Sequence, residues 1–220
     1  VYLREISLTA ERPVSEEQIK VENMSRVVCA LLAKSMRRKV KTRGFWKIML
    51  EFNQSSPNEK TYIVSGVLSI PTVFSADRFL ALPLKERQSQ MLRLVCDGLK
   101  RLDADKLESL DRNSWHEIVD EATQYVLESQ FRNTIRGRKR FKNEDGSKAA
   151  FIECEQDMDR ARFYLVIKEK RRVSRRILVG EEVPEEFIFQ CFFGTIEWLE
   201  EKVILEKTDG KRLEIPLALH

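Results

Sequence analysis

The spacing of apolar positions divides the chain into two halves of different character. Tyr2, Ile6 and Leu8 share one face of a possible opening strand. Ser15 then predicts a helix start: Gln18 can close a capping box, and Glu16 and Glu17 suit the positive end of the helix dipole. Met24, Val27, Val28, Leu31 and Leu32 recur at helical spacing, so the helix is expected to reach about Arg38. Residues 45–52 and 61–70 are rich in aromatic and branched side chains, with turn chemistry at 54–58 between them; together they read as a β-hairpin ended by Pro71. Pro83 opens the clearest helix, with Leu84, Gln88, Met91, Leu92, Val95, Leu99 and Leu102 on one stripe. After a linker, Ser114-Trp115-His116-Glu117 reads as a second capping box ahead of Ile118, Val119, Ala122 and Val126.

Beyond residue 132 the period shortens. Residues 136–147 are polar and basic and read as a loop. Residues 151–154, 162–167 and 173–179 read as strands, with Lys170-Arg171-Arg172 a tight turn between the last two. Pro184-Glu185-Glu186 opens a short helix over 187–193, which Gly194 ends. Thr208-Asp209-Gly210 is a hairpin turn between 203–207 and 213–217. The expected fold is α+β: amphipathic helices mainly in the first 130 residues, packed on antiparallel β-sheet, with strands dominating the C-terminal part. One domain over 1–220 is expected, with two lobes meeting near residue 132 as the variant of that reading.

Composition supports a folded chain. Apolar residues make up 42% and charged residues 34%, enough of each for a core and a heavily charged surface. The longest apolar run, residues 27–33, is far short of a membrane span. Val1-Tyr2-Leu3-Arg4-Glu5 lacks the order of a secretory leader, and no Met opens the chain, so the natural start is expected further upstream. Cys29, Cys96, Cys154 and Cys191 each sit in an apolar stretch with no CxxC pair, which points to reduced thiols in a cytoplasm.

Charge changes the picture more than the net +4 suggests. Residues 1–102 carry 18 basic and 10 acidic side chains; 103–131 carry 2 and 8; 132–176 carry 15 and 7; 177–206 carry 1 and 8. Alternating blocks predict patches of both signs. The run Lys34, Arg37, Arg38, Lys39, Lys41, Arg43 and Lys47 reads as a basic helix end and its following loop. Arg136, Arg138, Lys139, Arg140 and Lys142, with Phe141 among them, form a candidate nucleic-acid site: cations for phosphates and a ring to stack on a base. Asp103, Asp105, Glu181 and Glu182, with Trp115 as an aromatic anchor, form a candidate protein-binding set. Glu153, Glu155, Asp157 and Asp159 alternate, and on one strand they would face one side as oxygen ligands for a divalent cation.

Several enzyme classes lack their signatures. No GxSxG, GxxxxGK[ST] or GxGxxG occurs, and His116 is the one histidine inside the chain, with His220 at its end. No cofactor is expected.

The order of parts is similar to a known group. A helix ends near Leu102; Ser114-Trp115-His116-Glu117 opens the next, running to Phe131. The basic loop Arg136-Gly-Arg-Lys-Arg140 follows, then strands, then Thr195-Ile-Glu-Trp198 ahead of Val203-Ile-Leu205. Over roughly residues 60–217 this layout resembles bacterial immunity proteins of polymorphic-toxin systems. The resemblance implies a small α+β cytoplasmic protein that binds and blocks a cognate toxin without catalysis of its own. It carries no site residue to this chain. The expectation is therefore a non-catalytic protein-binding protein, with a nucleic-acid-binding module at 136–142 as the first alternative and a metal-dependent enzyme at 153–159 as the second.

Overall fold

The computed structural model describes residues 1–53, 60–170, 172–184 and 186–217. The expected turn at 54–58, Arg171, Glu185 and His220 lie outside the described residues. The class is α+β, with strands concentrated toward the C-terminus. The chain divides into two compact units, Val1–Arg132 and Asn133–His220.

The first unit begins with β1 (Glu5–Ala10), whose Ile6, Leu8 and Ala10 alternate inward. Helix α1 (Glu16–Met36) starts as its sequence dictates: Ser15 Oγ accepts from the Gln18 amide at 3.3 Å, and Gln18 Oε1 accepts from the Ser15 amide at 2.8 Å. The helix buries Val21, Met24, Val27, Val28, Leu31 and Leu32.

The expected hairpin is corrected. Strand β2 (Lys47–Asn53) pairs in parallel with β1 on one side and with β4 (Val67–Val73) on the other. The stretch 61–70 is itself the hairpin: β3 (Tyr62–Val64) turns back on β4 through Ser65 and Gly66, both at positive φ. Two consecutive left-handed residues make the kind of tight turn that matches strand twist. That reversal sets β4 parallel to β2 in a sheet ordered β1-β2-β4-β3. Pro71 does not end β4, which continues to Val73. Among the described residues β3 pairs with β4 only from Val67 to Ser69, so Pro71 lies beyond that pairing, a position a strand proline tolerates.

Helix α2 (Ala76–Leu80) leads to α3 (Leu84–Lys100), which has Pro83 at its N-cap and buries Met91, Leu92, Val95 and Leu99. A 3-10 turn, Ala104–Lys106, links it to α4 (Arg112–Glu128). The second capping box is also corrected. The N-cap is Asp111, whose carboxylate accepts from the Ser114 amide at 2.7 Å; Ser114 lies inside the first turn.

In the second unit every strand pairing is antiparallel. Strands β5 (Asn133–Arg136), β7 (Lys148–Gln156), β8 (Ala161–Glu169) and β9 (Arg172–Glu182) lie in that order, and the short β6 (Phe141–Lys142) also pairs with β7. The expected basic loop is thus partly strand. Helix α5 (Glu186–Phe192) is followed by a meander of β10 (Thr195–Trp198), β11 (Lys202–Glu206) and β12 (Arg212–Pro216). One face of the larger sheet supplies Ala150, Ile152, Cys154, Phe163, Leu165 and Ile167 to a core closed by Phe189, Phe192, Val203 and Leu205. Phe192 stacks on Phe163 with centroids 3.8 Å apart, and Gly180 makes room for it: a Cβ there would lie 2.6 Å from Phe192 Cε1.

Candidate anion-binding cleft

The acidic protein-binding set divides between the two units. Asp103 caps the 3-10 turn of the first unit, and Asp105, inside that turn, pairs with its neighbour Lys106 at 3.3 Å. Glu181 and Glu182 end β9 in the second unit, where Glu181 is held by Arg160 at 2.6 Å and Arg162 at 3.1 Å. Trp115 is corrected from surface anchor to core: it is fully buried, and its indole N–H donates to the Leu99 carbonyl at 2.9 Å. His116 Nε2 donates to the Lys100 carbonyl at 3.1 Å. Both side chains thus add donors to carbonyls in the last turn of α3, where the Leu99 carbonyl also accepts from the Leu102 amide at 3.0 Å. The distinctive Trp-His pair is a clamp between helices.

Of the four alternating carboxylates only Glu153 and Glu155 share a face of β7, which ends at Gln156 ahead of Asp157 and Asp159, and arginines stand among them. Glu153 accepts from Arg136 Nε at 2.7 Å and Arg176 Nε at 3.3 Å. Glu155 pairs with Arg176 Nη2 at 2.6 Å. Asp157, past the strand end, pairs with Arg162 at 3.1 Å and accepts the Asp159 and Arg160 amides at 2.9 Å each. Among the described residues, no three His, Cys, Asp or Glu side chains converge to hold a metal ion.

The basic candidates divide three ways. Arg136 is committed to Glu153. Arg138 and Lys139 are exposed in the connection from β5 to β6. Phe141 is half-buried: it packs against the second unit's core, and its carbonyl accepts from Trp198 Nε1 at 3.0 Å. Arg140 and Lys142 join a built feature, and the register shows why. In β6, β7 and β8 the outward row is Lys142, Ala149 and Lys168, beside the pair Phe151 and Val166. The β6–β7 turn is held by its own polar groups. Asn143 Oδ1 accepts from the Lys148 amide at 2.8 Å, and Asp145 Oδ1 accepts from the Ser147 amide at 2.7 Å; hydrogen bonding from the Ser147 hydroxyl, then from its amide, lowers the Asp145 pKa. Gly146 takes the left-handed conformation there (φ 70°).

The result is a cleft of about 500 Å³ into which Arg140, Lys142, Lys148, Lys168 and Lys170 project. No acidic side chain lines it, and among the described residues none of the five cations has an ion-pair partner. Phe151 is its floor. Its ring carries the Arg140 guanidinium and the Lys168 ammonium, each 5.6 Å from the centroid. A ring face attracts such cations, and their stems cover it, which leaves Phe151 only 3% exposed. Five like charges around one concavity repel one another and concentrate positive potential within it.

Lys148, Lys168 and Lys170 were not legible as site residues, because they join Arg140 only through strand register. Period-two alternation along β7 and β8 was the available signal: it puts Phe151 and Lys168 on one face. Comparison with known proteins finds no matching family model, no curated relative and no solved structure. Among the described residues, no helix is long and apolar enough to cross a membrane.

Proposed function

We propose that the chain is a non-catalytic binding protein whose second unit takes the phosphate backbone of nucleic acid in this cleft. One observation carries the reading: five cations and no acid line a single concavity, while Glu153 and Glu155, further along the same sheet face, are already paired with arginines. Unpaired Lys and Arg set against phosphates release condensed counterions, which favours binding. The non-catalytic part is supported by what the reactive side chains are doing. His116 is spent on a helix carbonyl, and Glu153, Glu155 and Asp157 on arginines.

The test is fluorescence anisotropy of a labelled single strand with the full chain over a salt series. If all five cations meet phosphates, log affinity should fall with log salt at a slope of about −3.5 for a single strand. Lys142→Glu with Lys168→Glu should abolish binding at moderate salt. No binding at low salt, or an unchanged affinity in the double variant, would overturn the proposal. A single protein captured in near-equal amount from nuclease-treated lysate, with no oligonucleotide binding, would instead favour an immunity-type inhibitor.

A further inference from the structure

Resting on that reading, we infer that the cleft grips phosphates alone and leaves the bases unread. A base-reading site on a sheet needs an aromatic ring with an open face, or side chains whose donor and acceptor pattern matches a base edge. The outer face of this sheet has two rings near the cleft, Phe151 on β7 and Tyr164 on β8, which lie diagonally across the register. Both are already stacked by the protein's own cations. Phe151 lies under Arg140 and Lys168 and is 3% exposed. Tyr164 has the Arg176 guanidinium 3.5 Å from its centroid, and Glu153 and Glu155 hold Arg176 in place.

The lining chemistry agrees. Four of the five cations are lysines. An ammonium is a point charge with no planar fork, so it responds to anionic charge and not to the shape of a base edge. The ligand class is a chain of closely spaced phosphates. A nucleic-acid strand and inorganic polyphosphate share that chemistry. Phe151 then acts as a positioning residue, its ring seating two of the cations that meet the ligand.

The experiment is competition anisotropy with the full chain. The competitors are homopolymeric strands of each base, an abasic deoxyribose-phosphate strand of equal length, and inorganic polyphosphate of similar charge. The inference expects all the strands within about threefold of one another, with polyphosphate competing. Tenfold preference for one base, or tenfold weaker binding of the abasic strand, would overturn it while leaving nucleic-acid binding intact. Direct binding of labelled polyphosphate with no strand binding would support the phosphate grip and overturn the nucleic-acid reading; binding of neither would overturn both. Phe151→Leu should weaken every phosphate ligand alike, about three- to tenfold, and Phe151→Tyr should restore the affinity. A Phe151→Leu loss confined to base-bearing strands would show that the ring stacks bases and would refute the inference.

Discussion

Replacing Trp115 with Phe separates the two roles this residue could have. Its side chain is fully buried between α3 and α4, and its indole N–H donates to the Leu99 carbonyl at 2.9 Å. Phe removes that bond. The carbonyl keeps a second donor, the Leu102 amide at 3.0 Å, so it is not orphaned and the loss is that of an ordinary hydrogen bond, about 0.5–1.5 kcal/mol. The smaller ring also leaves a void of roughly two methylene groups, worth about 1.6 kcal/mol of lost burial. The sum is a destabilisation of about 2–3 kcal/mol, or a fall in Tm of roughly 5–10 °C for a unit of this size. Far-UV circular dichroism during urea unfolding is the suitable assay, because removing the tryptophan changes the fluorescence baseline. Oligonucleotide affinity, which the proposal places in the second unit, should not move. A loss below about 0.5 kcal/mol would refute the clamp; weaker binding of a captured protein without loss of stability would return Trp115 to the surface role.

Gly180→Ala places a methyl group 2.6 Å from the Phe192 ring, which already stacks on Phe163. The expected cost is about 1–3 kcal/mol in thermal melts, and an unchanged Tm would show that the ring has room to move. Burial pushes the Cys29 and Cys154 thiols up to about 12, so both stay protonated at pH 8. Ellman's reagent should then modify partly exposed Cys191 first, and rapid reaction of all four cysteines without denaturant would contradict the buried thiols. Hydrogen bonding to the Ser114 amide holds the Asp111 pKa below its usual value. Its contribution is therefore present above the unfolded value near 3.9 and lost as pH falls through the lower folded one, so the stability gap between wild type and Asp111→Ala should close in acid. A gap independent of pH would remove the ionised cap.

Much of the local structure was legible because its causes are local. The Ser15 and Gln18 box fixed the start of α1, and Thr208-Asp209-Gly210 placed the β11–β12 turn. The errors share a different cause. Ser114 has better box chemistry than Asp111, but which residue caps a helix depends on where the linker delivers the chain. The β2–β4 pairing hinged on reading Ser65-Gly66 as a reversal inside an apolar run, a signal outweighed by the more obvious turn residues at 54–58. The cleft was half visible: the basic cluster showed Arg140 and Lys142, while Lys148, Lys168 and Lys170 arrive from neighbouring strands. Charge alone ranked Arg136 with them, although Glu153 neutralises it.

All five cations of the cleft fall between residues 140 and 170, on the continuous run of β6, β7 and β8 and the turns that join and follow them. Adjacent antiparallel strands close short loops, so the charges are brought together at small entropic cost once the meander forms. Most of them also stand at strand ends and turns, away from the apolar interior. On the proposed reading, affinity can therefore be tuned by gaining or losing a lysine at a hairpin tip with little effect on the core. The cleft is in this sense an adjustable, self-contained module, open to evolutionary drift and to engineering in a way that a site assembled from distant segments is not.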